Sequence, residues 1–223
     1  MKKICSLPLI LLLTLLVTSC LKEKLVQENF VDLGLPSGLL WAKCNLGATS
    51  PEGYGNYYAW GETSTKSDYS WDTYAYGRGY YQLTKYCGNS YYGLNGFTDN
   101  LTMLQSSDDA ATVVLGRGAR IPSAHEWEEL LDNTTAVMTM QNGVYGLMLT
   151  AANGTSMFLP AAGFRYDSSL KHDGMYGYYW SSSYYDSMPD GAWCMSFKSY
   201  NQDAYGREFR NTGLSVRAVR SQN

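Results

Sequence analysis

The amino-acid sequence predicts an α+β domain of mostly antiparallel strands with two short helices and long loops. Three observations carry this expectation. From Phe30 onward, Gly and Tyr punctuate the chain every few residues, so the segments between them are brief. From Gly143 on, turn signals separate short runs rich in β-branched and aromatic residues, the pattern of paired strands. Only two segments carry helix start and stop signals. Few short helices beside many strands make an antiparallel sheet with helices packed on it.

Each element follows from local chemistry. Residues 30–33 and 39–42 flank Leu35-Pro36-Ser37-Gly38, where proline pre-sets the turn dihedral, and read as a hairpin. Residues 50–98 are loop-rich, broken by Gly53, Gly55, Gly61, Gly77, Gly79, Gly88, Gly93 and Gly96. Trp60, Trp71 and many tyrosines set this region apart from disordered segments, which seldom carry them. A helix over 107–115 opens on Ser107 with Asp108 and Asp109 in its first turn and stops at Gly116. A second helix, over 123–132, opens on Ser123 and Glu126 at capping-box spacing. Its Trp127, Leu130 and Leu131 form one apolar stripe opposite Glu128 and Glu129. Residues 144–150 and 156–160 flank Asn153-Gly154, a hairpin turn signal. Residues 177–182, 192–196 and 213–219 read as further strands.

The N-terminal end points to export. Met1-Lys2-Lys3 precedes an apolar run over residues 7–17, too short to span a bilayer and laid out as a secretory signal. Leu16-Val17-Thr18-Ser19-Cys20 resembles a bacterial lipobox. That resemblance implies a leader over 1–19, acylation of Cys20, a tether over 20–29 and one domain over 30–221. Acyl chains contribute about 0.8 kcal/mol per buried CH₂, enough for several of them to hold the domain on a membrane. The expected place is the cell envelope, at the outer membrane. Lys22-Glu23-Lys24 is not an acidic export run, so the face the domain occupies stays open. Loss of Lys2 and Lys3 moves the net charge from −3 to about −5, which excludes the basic footprint of a nucleic-acid binder. Cys44, Cys87 and Cys194 remain, allowing at most one disulfide plus a free thiol, with no pair selected by spacing.

Several motifs resemble known families. Gly118-Ala119-Arg120-Ile121-Pro122-Ser123 followed by Glu126-Trp127-Glu128, with the closing Leu214-Ser215-Val216-Arg217, resembles the formylglycine-generating enzyme superfamily, which implies a C-type-lectin-like fold. Val31-Asp32-Leu33-Gly34-Leu35, Trp41-Ala42-Lys43-Cys44-Asn45, Tyr58-Ala59-Trp60-Gly61-Glu62 and Leu83-Thr84-Lys85-Tyr86-Cys87 resemble the Fibrobacter succinogenes major paralogous domain. So do Asn95-Gly96-Phe97-Thr98-Asp99-Asn100, Phe158-Leu159-Pro160-Ala161-Ala162-Gly163 and Tyr179-Trp180-Ser181-Ser182-Ser183. That family implies a lipoprotein and assigns no reaction.

Catalytic signals are sparse. The superfamily's oxidase chemistry needs a late cysteine pair for copper, and this part of the chain holds only Cys194, read as a small buried hydrophobe in a strand. His125 has no second histidine four residues on, and His172 has no positioned nucleophile, so neither a zinc-protease helix nor a triad is present. The expectation is a non-enzyme without a resident cofactor. Calcium is the one metal kept in view, on Asn95, Asp99, Asn100, Asp108 and Asp109, which Asx turns and helix capping also explain. Asp186-Ser187-Met188 resembles a short bacterial O-glycosylation site.

The stretch Gly177–Trp193, GYYWSSSYYDSMPDGAW, concentrates aromatic residues and serines. Trp180 is expected in the core and the loop tyrosines outside. Ligand-binding candidates are Tyr184, Tyr185, Asp186 and Asp190 in one turn, with Tyr200, Asn201, Asp203, Tyr205, Arg207 and Arg210 in a loop before the last strand. Rings with few rotamers beside amides and acids suit glycans and protein epitopes alike. The expected function is a lipid-anchored binding module for a glycan or protein; the alternative is a structural or adhesive component of a surface or fimbrial assembly, and after it an enzyme of unknown reaction.

Overall fold

A computed structural model describes residues 29–116, 118–199 and 201–222. The leader, Cys20, most of the tether and Tyr200 lie outside the described residues. Among the described residues the architecture is α+β: thirteen strands, mostly antiparallel, with two helices and two single 3₁₀ turns.

The centre is a five-stranded sheet of order β11-β10-β9-β12-β3. It joins Asn201–Phe209, Gly191–Lys198, Gly177–Tyr184, Leu214–Ser215 and Tyr57–Tyr58. Only β12 and β9 run parallel. Both faces of this sheet are covered, so neighbouring residues of β9 enter different cores. Tyr179 packs with Trp41, Trp127, Met195 and Phe197 on one side. Trp180 packs with Trp60, Tyr86, Ala192 and Cys194 on the other. The buried indole N–H groups find carbonyls across the sheet: Trp180 Nε1 donates to Tyr58 O at 2.6 Å and Trp60 Nε1 to Ser181 O at 2.8 Å. Trp180 is fully buried, as expected.

The smaller sheets surround this one. Strands β1 (Phe30–Asp32) and β2 (Leu40–Ala42) form the first hairpin, extended by β13 (Val219–Arg220). A second sheet has the order β4-β5-β6, over Thr134–Gln141, Val144–Ala151 and Ser156–Pro160, and β7 (Phe164–Tyr166) pairs with β8 (Ser169–Lys171). Helix α2 (Ala124–Asp132) has both arms of its capping box. Its Glu126 carboxylate also takes a bidentate ion pair from Arg120, at 2.7 and 2.5 Å. Trp127 and Leu130 are buried as the stripe requires, while Leu131 is half-buried.

Four expectations change. Helix α1 is shorter than 107–115: it spans Ala110–Leu115 and is capped by Asp109, whose side chain accepts from Thr112 N. Ser107 and Asp108 precede it because the Asp108 carboxylate is held elsewhere, by Lys85 and Tyr86. The strand expected over 213–219 is two short strands, since Val216, Arg217 and Ala218 cross between sheets. There Arg217 is fully buried and donates to Asn45 Oδ1 and to the carbonyls of Ala42, Lys43 and Phe158. The loop expected over 200–211 is largely strand β11, Asn201–Phe209. Strand β4 was not expected at all, although Asn142 and Gly143, with φ 48° and 83°, form the two-residue hairpin turn that pairs it with β5. Cys44, Cys87 and Cys194 are all free thiols, Cys194 buried in β10 as expected.

Candidate functional site

The edge of the central sheet carries an aromatic band. Tyr205, Arg207 and Phe209 alternate along the edge strand β11, and Trp193 of β10 is the cross-strand partner of Arg207. Tyr185, from the β9–β10 turn, sets its ring edge-on to Trp193 at 4.5 Å, and Trp193 meets Tyr205 at 5.5 Å. Edge-to-face geometry aligns the positive rim of one ring with the negative face of the next. The Tyr205 hydroxyl donates to Glu128 Oε2 at 2.7 Å and lies 2.8 Å from His125 Nδ1. Burial and the Glu128 carboxylate push its pKa up to about 12, so the phenol stays protonated and anchored to α2. The Arg207 guanidinium lies over Phe209 at 4.8 Å and Tyr185 at 5.8 Å, and pairs with Asp190 at 2.7 Å.

At Phe209 the band leaves the sheet for the loops. Phe209 meets Tyr80 at 5.1 Å and Trp71 at 6.5 Å, and Trp71 meets Tyr80 at 5.3 Å. Tyr81 then packs against Tyr91 at 4.9 Å and Tyr92 at 5.4 Å. Tyr91 is 69% exposed, Tyr81 53% and Tyr80 39%, so these rings face water. Two similar segments build this part, Gly79-Tyr-Tyr-Gln-Leu83 and Ser90-Tyr-Tyr-Gly-Leu94. Leu83 N donates to Tyr92 O and Leu94 N to Leu83 O, both at 2.9 Å, which sets the tyrosine pairs side by side.

A cleft of about 520 Å³ is lined by Asp72, Thr73, Arg78, Gln82, Thr84 and Leu94 among others, from the same loops that carry these tyrosines. Its walls are fixed from below. Buried Arg210 donates to the carbonyls of Tyr86 and Lys85 at 2.9 and 3.1 Å and stacks on Trp60 and Tyr74. Asp108 receives Lys85 Nζ and the Tyr86 hydroxyl, each at 2.5 Å. Burial works against its charge, but the bonds from Lys85, Tyr86 and Ser107 outweigh that and hold its pKa below the usual carboxylate value. Asp99 accepts the backbone amides of Tyr86, Cys87 and Leu101.

The carboxylates weighed for calcium are thus engaged as braces: Asp99 and Asp108 hold loops, and Asp109 caps α1 and accepts Ile121 N. Among the described residues, no three His, Cys, Asp or Glu side chains gather as a metal group. A second hollow, of about 350 Å³, is lined by Phe30, Ala42, Cys44, Leu46, Leu115 and Ala218 among others. Burial raises the pKa of the Cys44 thiol there, leaving it a poor nucleophile. His172 lies edge-on to Phe164 and Tyr176.

The structure divides the candidates drawn from the sequence. Tyr185, Tyr205 and Arg207 come together in the band. Asp186, Asn201 and Asp203 are exposed near its ends, Asp203 accepting Tyr205 N. Three placements are corrected. Tyr184 is buried in the core because β9 continues through it. Asp190 is buried beneath Arg207, and Arg210 is fully buried as the brace of the loops. Sequence reasoning missed Trp71, Tyr80, Tyr81, Tyr91, Tyr92, Trp193 and Phe209; the repeated Tyr-Tyr-x-Leu was the available signal. Asp186-Ser187-Met188 lies on an exposed turn.

No helix among the described residues is long and apolar enough to cross a membrane. No curated protein and no solved structure matches the chain. A family model described as a domain of unknown function (DUF8237) matches residues 135–219. This match takes in Tyr185, Trp193, Tyr205 and Arg207 and leaves out the tyrosine loops, so the aromatic band bridges a stretch similar to that family and one outside the match.

Proposed function

We propose that this chain is a lipid-anchored, non-catalytic binding module of the cell envelope whose ligand is a glycan chain. One observation carries the reading: an aromatic band runs from Tyr205 to Tyr91, and the loops that carry its exposed tyrosines also line a cleft with hydrogen-bonding side chains. Sugar rings pair apolar faces with a rim of hydroxyls. The exposed tyrosines supply surface for the former, and Asp72, Thr73, Arg78, Gln82 and Thr84 supply partners for the latter. The open, elongated layout suits a polymer better than a small molecule, which sites usually enclose.

The rest of the reading agrees with this. A lipid anchor of the kind the lipobox resemblance implies would bring the module to where polysaccharides are met, and the lectin-like resemblance is consistent with recognition by loops on one face. The thiol in the apolar hollow is protonated and the Tyr205 phenol anchored, which supports recognition in place of reaction. The test is affinity electrophoresis of the chain against a panel of neutral and acidic polysaccharides, beside the Tyr81→Ala/Tyr91→Ala variant. Retardation of the parent by one or more polymers, lost in the variant, supports the reading. Equal mobility of the two chains on every polymer overturns it.

A further inference from the structure

Strand β4 is the outer strand of its sheet and lacks the devices that ordinarily blunt an edge. Its eight residues, Thr134–Gln141, include no charge and no proline, and its ladder to β5 runs without a bulge from Thr134↔Ala151 to Gln141↔Val144. The two-residue turn at Asn142-Gly143 makes Gln141↔Val144 a hydrogen-bonded pair. Ladder alternation then points the amides and carbonyls of Thr134, Ala136, Met138 and Met140 away from β5. No backbone group among the described residues pairs with them. A long, flat, uncharged edge is a template for another strand.

We propose that this edge pairs antiparallel with β4 of a second copy of the chain across a two-fold axis, giving the sheet order β6-β5-β4-β4-β5-β6. The outward groups lie on alternate residues, so a two-fold pairing must keep them opposite one another. Centred on Val137, it sets Val137 against Val137 of the other copy and Thr135 against its Thr139. On the other face Ala136 meets Met138, and Thr134 meets Met140. β-Branched residues then face each other on the open side, a favourable cross-strand combination. On the core side, Ala136 and Met138 are only partly buried in one copy, and each covers the open flank of the other. β4 itself supplies a strand whose small and β-branched residues fit this register, and the two-fold closes the edge. The register also brings Asp132 toward Asn142 of the other copy, whose amide holds Glu52 at 2.6 Å. These like charges oppose pairing, so added salt strengthens it.

The test uses the full chain with single cysteines introduced on the edge and oxidised under mild conditions. Val137→Cys is expected to give a band of doubled apparent mass on a non-reducing gel. Met140→Cys is expected to stay monomeric, although Met140 is 66% exposed and Val137 54%, because its counterpart lies six residues along the strand, about 20 Å away. Adding Thr139→Lys, on the open face, or Met138→Pro, which removes only an outward amide, should abolish the Val137→Cys dimer. Thr139→Lys should leave the unfolding midpoint unchanged. Dimer formation that follows exposure, with Met140→Cys matching Val137→Cys, overturns the proposal. So does a crosslink to a species of another mass, no crosslink at all, or a Val137→Cys dimer indifferent to Thr139→Lys.

Discussion

Two regions of this chain are rich in tyrosine and treat it in opposite ways. In β9, Tyr179 and Trp180 are wholly buried because the strand runs through the middle of a sheet with a core on each face. In the loops after Trp71, Tyr80, Tyr81 and Tyr91 stand exposed, packed against one another. Composition is nearly the same in both places, so the side chain does not decide. What decides is whether a second layer covers the backbone that carries it. Exposed aromatic rings in contact mark an interaction surface more often than single ones do, and here the mark falls on the loops.

The largest expected effect breaks the buried side of this contrast. Trp180→Ala should cost about 3–5 kcal/mol, the range for emptying a well-packed aromatic site, and is measured as a fall in the urea midpoint. A fall worth less than about 1 kcal/mol would mean that β9 is not held from both faces. Arg210→Ala comes next, at about 2–3 kcal/mol, since it leaves two loop carbonyls without a charged donor. It should speed amide exchange in residues 74–104 while β9 and β10 keep their protection. Uniform acceleration would show that the loops are not a separate unit.

Legibility from sequence follows the same division. The capping box of α2, the hairpin at Asn153-Gly154 and the burial of Trp180 rest on short-range signals or a strong apolar drive, and all were readable. Strand β11 was not, because Asp203, Arg207 and Glu208 read as loop residues; in the strand Asp203 is exposed, Arg207 pairs with Asp190, and Glu208, on the opposite face from Arg207, is partly buried. Tyr184 and Arg210 read as surface residues for a related reason. One strand runs two residues further than its apolar pattern, and buried Arg210 answers carbonyls more than a hundred residues away in the chain. The band itself needed both halves of the molecule, and only the tertiary fold brings Phe209 to Trp71.

Acid should separate the two regions without mutation. Asp108 titrates below its ordinary value when folded, so its contribution is present above the usual carboxylate pKa and is lost as pH falls through the depressed one. Glu126, where burial is outweighed by Arg120, acts in the same window. Asp109 and Glu208 act oppositely, since burial raises their pKa and protonation relieves it. The two pairs oppose one another, so the change in overall stability is smaller than either pair alone would give. Below about pH 4 the near-ultraviolet signal of the loop tyrosines should change before the far-ultraviolet signal of the strands. Asp108→Asn should remove that early step; if the step persists, another group latches the loops.

The smallest effect on stability is the most telling for function. Tyr81→Ala/Tyr91→Ala removes two exposed rings whose main contacts are with each other and with Tyr80 and Tyr92. The urea midpoint should therefore move by no more than about 0.5 kcal/mol equivalent. A fold that loses nothing when such rings are removed does not need them for packing. Four tyrosines in contact at the surface, repeated in two similar segments and braced by buried Arg210 and Asp108, are then free for the ligand proposed above. A loss of 2 kcal/mol or about that in this variant would place the rings in the fold's own support, and the contrast between the two regions would collapse into one of degree.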